Sequence, residues 1–331
     1  MKNIFISIIA LLSLSSCSQA IYESGTNSDS KALYDEFWNH VHKNYIYFNE
    51  KNVDWDEVYA KYGSTITDMT TEGELFEAME ASLLELKDSH INLGSTFGIA
   101  KRYDFRDGYE IHFSLENIEN KYTTSGLKKS SIFSYGHINE TTPYIYVPKM
   151  AHVQHLRALM RELTTDKTAS IILDLRNNGG GDSNPVHQLL GDYVTEKTYL
   201  GGYIEKSGPS IDDKTEPLGV YAEPNSDYHF DGKVFLLINR GGYSATSYMA
   251  AMVKAIPNYT VVGQVTGGGG GGTAGFELSN GWLMSVSVSD FVDIEGNSIE
   301  SGVEPDVKVV NSKEDIEEGR DPMLEAALSL R

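Results

Sequence analysis

A single cysteine among 331 residues, Cys17, rules out an intrachain disulfide, so whatever stability the chain has must come from packing. Lys and Arg are outnumbered, 27 against 47 Asp and Glu, and do not cluster. The formal charge of −20 argues against a nucleic-acid partner, because neutralising phosphates needs grouped cations. The acidity itself speaks mainly of solubility. Metal ligation lacks a donor set: His152 and His155 are spaced to share a helix face, but no carboxylate or cysteine at ligand spacing completes them, and they read as a solvated helix surface. The acidic stretch Asp290 to Gly296 fails as a calcium loop, since aligning Gly296 with the loop glycine puts Phe291 at the first ligand position. No metal and no organic cofactor is expected.

Long apolar runs are also missing, with one exception. Ile4 to Leu14 follows Lys2 and is too short to span a bilayer as a mature helix. Leu14-Ser15-Ser16-Cys17 after it resembles a bacterial lipobox, which implies cleavage before Cys17 and lipid attachment to its thiol; a plain secretory signal is the alternative. On this reading residues 1–16 are a signal peptide, 17–30 a polar tether, and the protein sits in the cell envelope, on the periplasmic face of the outer membrane. The membrane partner is then the lipid anchor alone.

What is present suits about two domains. Residues 31–95 carry helical periodicity, with Leu33, Phe37 and Val41 spaced by four and Leu75 and Met79 continuing to Leu83, so a small N-terminal helical bundle is expected there. Thr71 or Thr70 suits a helix N-cap, and the dense aromatics from Trp38 to Tyr62 suit core packing. A β-rich connecting segment is expected over 96–142. From 143 to 315 short strands alternate with helices: Tyr144 to Val147, Ser170 to Leu175, Val234 to Ile238 and Thr260 to Gly263. The middle two are apolar on both faces, which predicts an α/β core with its sheet covered on both sides. A hairpin about Asn280-Gly281 and a C-terminal tail or helix over 316–331 close the chain.

Two strand ends invite chemistry. Asn239-Arg240-Gly241-Gly242-Tyr243-Ser244 runs from a strand through a turn into a helix, where a serine can be a nucleophile facing free helix N–H groups or can merely cap the helix. Asp174-Leu175-Arg176-Asn177-Asn178-Gly179-Gly180-Gly181 offers backbone N–H groups that could form an oxyanion hole or only a tight turn. Both lie beyond the carboxyl ends of strands, where α/β sheets collect ligands. Six consecutive glycines, Gly267 to Gly272, suggest a phosphate cradle until Thr273 is found where a P-loop needs lysine. A flexible surface loop is the plain alternative.

Taken in order, the Asp174–Gly181 motif, Gly242-Tyr243-Ser244-Ala245-Thr246-Ser247 and Gly302-Val303-Glu304-Pro305-Asp306 resemble the signatures of the C-terminal processing (tail-specific) and tricorn-core serine peptidases. Leu86-Lys87-Asp88-Ser89-His90 is similar to the helical domain of the tricorn-like branch. The resemblance implies a crotonase/ClpP-like ββα core and hydrolysis of peptide bonds through an acyl-enzyme on Ser244. It implies an oxyanion hole from the N–H groups of Gly180 and Ala245. The lysine base of the processing branch would fall at Gly269, so the resemblance instead implies His90 as base, with Ser89 and Glu300 completing a relay from Glu300 to Ser89 to His90 to Ser244. The glycine run would then leave room for His90. Asp174 and Arg176 read as scaffolding. Only about fifty residues separate His90 from the first core strand, too few for a PDZ domain. A peptide or protein is the expected partner, and a non-catalytic peptide or hydrophobic-ligand binder on the same scaffold is the alternative.

Overall fold

The structure, a computed structural model, describes residues 29–331; the expected signal segment, Cys17 and nearly all of the tether lie outside the described residues. Four helices open it: α1 (Ser30–Asn44), α2 (Phe48–Lys51), α3 (Trp55–Tyr62) and α4 (Glu72–Leu84). Asp29 caps α1 through the Ala32 N–H, and Thr71 forms a reciprocal capping box with Glu74 at the start of α4. Leu33, Phe37 and Val41 of α1 and Leu75, Met79 and Leu83 of α4 are buried, as their spacing requires. Tyr34, Tyr45, Phe48 and Trp55 fill the space between the helices. The helices do not close this core by themselves: Leu278, Trp282, Met284 and Val286 of the late hairpin belong to it.

Strands β1 (Asn92–Ser95) and β2 (Gly98–Ile99) follow α4. A loop then leads to the single-turn α5 (Leu115–Asn117), a π turn over Ile118–Tyr122, β3 (Lys128–Lys129), β4 (Ser134–Asn139) and β5 (Thr142–Tyr146). The large sheet therefore takes in strands ahead of residue 143. Beyond it come α6 (Val153–Leu163), β6 (Ser170–Asp174), α7 (Val186–Leu190), β7 (Thr198–Glu205), β8 (Leu218–Ala222), β9 (Lys233–Ile238), α8 (Ala245–Met252), β10 (Tyr259–Gly263), β11 (Gly271–Glu277), β12 (Leu283–Val292), β13 (Val307–Lys308), α9 (Lys313–Glu317) and α10 (Pro322–Ser329). This is the mixed α/β class expected.

One sheet of seven strands runs β13-β10-β9-β6-β5-β4-β3, parallel from β5 through β13 and antiparallel at its β3–β4–β5 edge. Its central strands β6 and β9 are buried on both faces. Helices α6, α7 and α8 contribute to the core on one side, and Ile118, Leu324 and Ala327 to that on the other. The second sheet, β2-β1-β12-β7-β8 with β11 also on β12, is antiparallel and joins the two halves of the chain. Strands β7 and β8 escape a reading by apolar alternation because Gly201 and Gly202 interrupt the pattern of β7. The paired register of β6 and β9, Asp174 opposite Leu237, delivers the loops that follow them side by side.

Arg176 stands just beyond β6, wholly buried, bonded to Asp174 at 2.6 Å and Asp321 at 2.8 Å and lying over the Phe113 ring at 4.7 Å. Tyr144 donates to the same Asp174 carboxylate. Asp321 also caps α10, so a motif residue ties the C-terminal helix to the strand end. Removing Asp321 leaves Arg176 paired with Asp174 but strands its Nη1 donor in the core and uncaps α10. Asp321→Ala is expected to destabilise the fold by about 2–4 kcal/mol, measured as a lower urea midpoint at unchanged slope.

Candidate active site

Ser244 occupies the turn between β9 and α8 with φ 54° and ψ −121°, a conformation that costs a non-glycine residue about 1–3 kcal/mol and recurs at reacting groups. Its side chain does not cap α8. Its Oγ lies 3.0 Å from Nε2 of His90, a residue 154 positions away. The capping alternative is thereby set aside, and a hydroxyl and an imidazole meet at hydrogen-bond distance.

The neighbouring loops hold this turn rigid. Asn177 and Asn239 exchange bonds, backbone N–H to Oδ1 at 2.8 Å and Nδ2–H to Oδ1 at 3.0 Å. The Asn178 carbonyl accepts from Tyr243 N–H and from the Thr246 hydroxyl. Gly180 has φ 100°, and a Cβ on it would stand 2.7 Å from Ser244 Cβ, so only glycine fits. Of the expected oxyanion-hole donors, Ala245 N–H at the start of α8 has no partner among the described residues. Gly180 differs from expectation: its N–H donates to Asn178 Oδ1 at 2.9 Å, closing a local turn. Gly179 lines the cleft beside Ser244.

His90 comes from the turn between α4 and β1. Three contacts fix it: β1 pairs with β12, Ser285 Oγ donates to the His90 carbonyl, and the His90 N–H donates to Asp88 Oδ1 at 2.8 Å. Asp88 is itself buried and accepts from Ser287 Oγ at 2.7 Å. The other ring nitrogen, Nδ1, faces the Tyr243 hydroxyl at 3.3 Å, with the Asp88 carboxylate 4.0 Å away. Burial pushes the imidazole below its ordinary value; Asp88 opposes the shift, while Lys51 and Arg102 reinforce it. The ring therefore favours its neutral form, the form that accepts a proton.

Ser89 and Glu300 lie close by but do not form the expected relay. The Ser89 hydroxyl donates to the Tyr103 carbonyl at 2.6 Å and accepts from Phe105 N–H, so it pins the 103–105 loop over the cleft. Glu300, buried, pairs with Lys51 at 2.6 Å and accepts the Gly270 N–H at 2.9 Å. A carboxylate out of water needs such partners, and Ser89 is not among them. Burial, and then the Asp88 charge, raise its pKa to about 7 against the pull of Lys51.

The six glycines are tightly packed, with Gly267 to Gly271 buried. A Cβ would meet Phe105 at Gly267, the Glu300 carbonyl at Gly268 and the Tyr243 ring, 2.5 Å away, at Gly269. The loop is bonded along its length: Gly268 O accepts from Ser244 N–H and Ser247 Oγ, and Gly270 O from Tyr248 Oη. The room that Gly269 leaves is filled by Tyr243, stacked on Phe105 with ring centroids 4.1 Å apart and bonded in turn to His90. The glycines thus serve the histidine through an intermediary, and the flexible-loop alternative falls with the expected open space. Tyr243, Asp88 and Lys51 are the site residues that sequence reading passed over. Tyr243 and Asp88 sit inside the quoted motifs, but nothing in their spacing announces a role. His152 and His155 are exposed on the surface at α6.

The geometry defines an α/β protein with a strained serine at a strand-to-helix turn, a neutral-leaning histidine on its hydroxyl and a free helix N–H beside it. The sequence profile of peptidase family S41 matches residues 141–309, and that of the tricorn protease C1 domain matches residues 28–82. The chain belongs to peptidase family S41. A crystal structure of a peptidase candidate from Parabacteroides merdae superposes with a TM-score of 0.82 at 31% identity, covering 92% of this chain and 97% of that one. The tail-specific protease of Haemophilus influenzae is 28% identical over 119 residues, 35% of this chain and 16% of the relative. The chloroplastic C-terminal processing peptidase of Tetradesmus obliquus is 31% identical over 157 residues, 45% of this chain and 30% of the relative. The chain thus matches less than a third of the length of these two curated relatives.

Gly269→Ala brings a Cβ into both a φ of +84° and the Tyr243 ring. It is expected to lower stability by about 1–3 kcal/mol and to perturb near-ultraviolet circular dichroism from Tyr243. Gly269→Lys, at the position of the processing branch's lysine, is expected to be worse and to restore no base.

Proposed function

We propose that this protein is a serine peptidase in which Ser244 attacks a peptide carbonyl, His90 takes its proton through Nε2 and returns it to the leaving amine, and water then hydrolyses the acyl-enzyme. The contact between Ser244 Oγ and His90 Nε2 carries this reading. With Nε2 bare, Nδ1 holds the proton and donates it to the Tyr243 oxygen, while the buried Asp88 charge stabilises the imidazolium that forms. The Tyr243 phenol is kept neutral, since burial drives its pKa far upward. The Ala245 N–H supports the developing oxyanion from the helix terminus, with the glycine turn at 179–181 beside it. Gly180 contributes its own N–H once Asn178 Oδ1 is displaced from it. In this scheme Ser89 and Glu300 act as positioning residues: Ser89 through the 103–105 loop, Glu300 through Lys51 and the backbone of Gly270.

A fluorophosphonate probe is expected to label the wild type and not Ser244→Ala. His90→Ala should slow labelling by roughly 10²-fold or more, and Tyr243→Phe by roughly five- to tenfold. Labelling of folded wild type no faster than of Ser244→Ala would leave a non-catalytic peptide binder on this scaffold. Because activity needs neutral His90 and burial lowers its pKa, kcat/KM for a fluorogenic peptide should rise with pH along a limb centred below the ordinary histidine value of 6.5. Asp88→Asn removes the one carboxylate that raises this pKa, so the limb should move to still lower pH while the plateau falls.

We further propose that Cys17 carries the lipid anchor and holds the enzyme at the cell envelope. Cys17→Ala is expected to move the protein from the membrane to the soluble fraction.

A further inference from the structure

Lysine side chains ordinarily end in water, yet that of Lys51, the last residue of α2, is only 17% exposed. Its ammonium joins two parts of the site. It pairs with Glu300 Oε1 at 2.6 Å and donates to the carbonyl of Lys87 at 3.2 Å. The proton transfer between Ser244 and His90 does not itself call for this cation.

Lys87 opens the turn that carries the base, three residues ahead of His90. Its φ of +48° is left-handed, a conformation that a residue with a Cβ keeps only where its surroundings fix it. The Lys87 N–H bonds back to the Leu84 carbonyl at the end of α4, and the Lys87 carbonyl is held by Lys51. Glu300 grips the other part. Its carboxylate accepts the Gly270 N–H at 2.9 Å, its carbonyl accepts the Gly269 N–H at 3.2 Å, and the adjacent Gly268 carbonyl accepts the Ser244 N–H at 2.8 Å. One ammonium thus closes a chain of bonds from the turn before His90 to the backbone of Ser244, separate from the β1–β12 pairing. The lysine stem has a fixed origin, since Tyr47 Oη at the start of α2 donates to the buried Asp290 carboxylate at 2.8 Å and Phe48 lies in the helical core.

Resting on the peptidase reading, we infer that Lys51 is a positioning residue for the reaction: it clamps the turn of the base to the glycine loop of the nucleophile and so sets the approach of His90 Nε2 to Ser244 Oγ. Its charge also reaches the ring. The ionisable groups facing the imidazole are Asp88, Lys51, Arg102 and the Tyr243 phenol; Asp88 favours the imidazolium, and Lys51 and Arg102 disfavour it.

Lys51→Met keeps the aliphatic stem and removes the ammonium, whereas Lys51→Arg keeps charge and donors. Lys51→Met is expected to lower kcat for a fluorogenic peptide roughly 10- to 100-fold with KM altered less than about threefold, and Lys51→Arg to recover most of the loss. Losing a cation favours the imidazolium, so the acid limb of kcat/KM should move to higher pH in Lys51→Met, opposite to Asp88→Asn, and stay in place in Lys51→Arg. In Ser244→Ala protein, NMR should show the same upward shift of the His90 titration, with amide exchange at His90, Gly269 and Gly270 roughly tenfold faster and that of β6 and β9 unchanged. Should Lys51→Met fail to fold, Glu300→Gln tests the other end of the clamp, with the same fall in kcat and the same faster amides expected. Unchanged kcat in a folded variant overturns the inference, as does a fall in kcat that leaves the limb and those amides where they were. If the wild type neither turns over peptide nor takes the probe while the titration and amides still respond, the peptidase reading is lost and the clamp stands.

Discussion

The antiparallel pairing of Asn92–Gly94 with Leu283–Ser285 is the constraint on which the site rests. It fastens the turn that carries His90 to a strand of the second sheet, while Ser244 hangs from the first. The core beneath the helices is completed by Leu278, Trp282, Met284 and Val286, so the same hairpin that buries the helical face also sets the imidazole against the hydroxyl. Packing and chemistry share one seam, and a shift in it would be felt at the 3.0 Å contact.

Charge management follows from that placement. Asp88 is buried, bonded to a backbone N–H and a hydroxyl, and stands 4.0 Å from the ring it influences. Glu300 borders the same hollow as Tyr243 and is balanced by Lys51. Burial first, and the Asp88 charge second, raise the pKa of Glu300. Evolution of such a pocket has to satisfy each buried oxygen individually, which is why Ser89 and Glu300 spend their hydrogen bonds on backbone and lysine rather than on one another.

Much of this was legible in the residues. Helical spacing exposed the α1 and α4 stripes, Thr71 or Thr70 stood out as an N-cap, and doubly apolar runs marked β6 and β9 as central strands. Motif order brought Ser244 and His90 forward. Less visible were β7 and β8, whose glycines break alternation, and the passage of the glycine run into β11. Tyr243 was hidden for a different reason: its role exists only because Gly269, twenty-six positions on, vacates the volume its ring fills. Partner choice by Ser89 and Glu300 depended likewise on distances that no spacing rule encodes.

The separation of the two reacting groups along the chain has a consequence for biosynthesis. His90 and Ser244 are supplied by opposite halves, and the strand that fixes the histidine ends only at Val292. A nascent chain carrying either residue alone has no assembled hydroxyl–imidazole pair, and one carrying both still lacks the β12 edge that orients the ring. The hydroxyl–imidazole pair therefore assembles only after synthesis has passed β12.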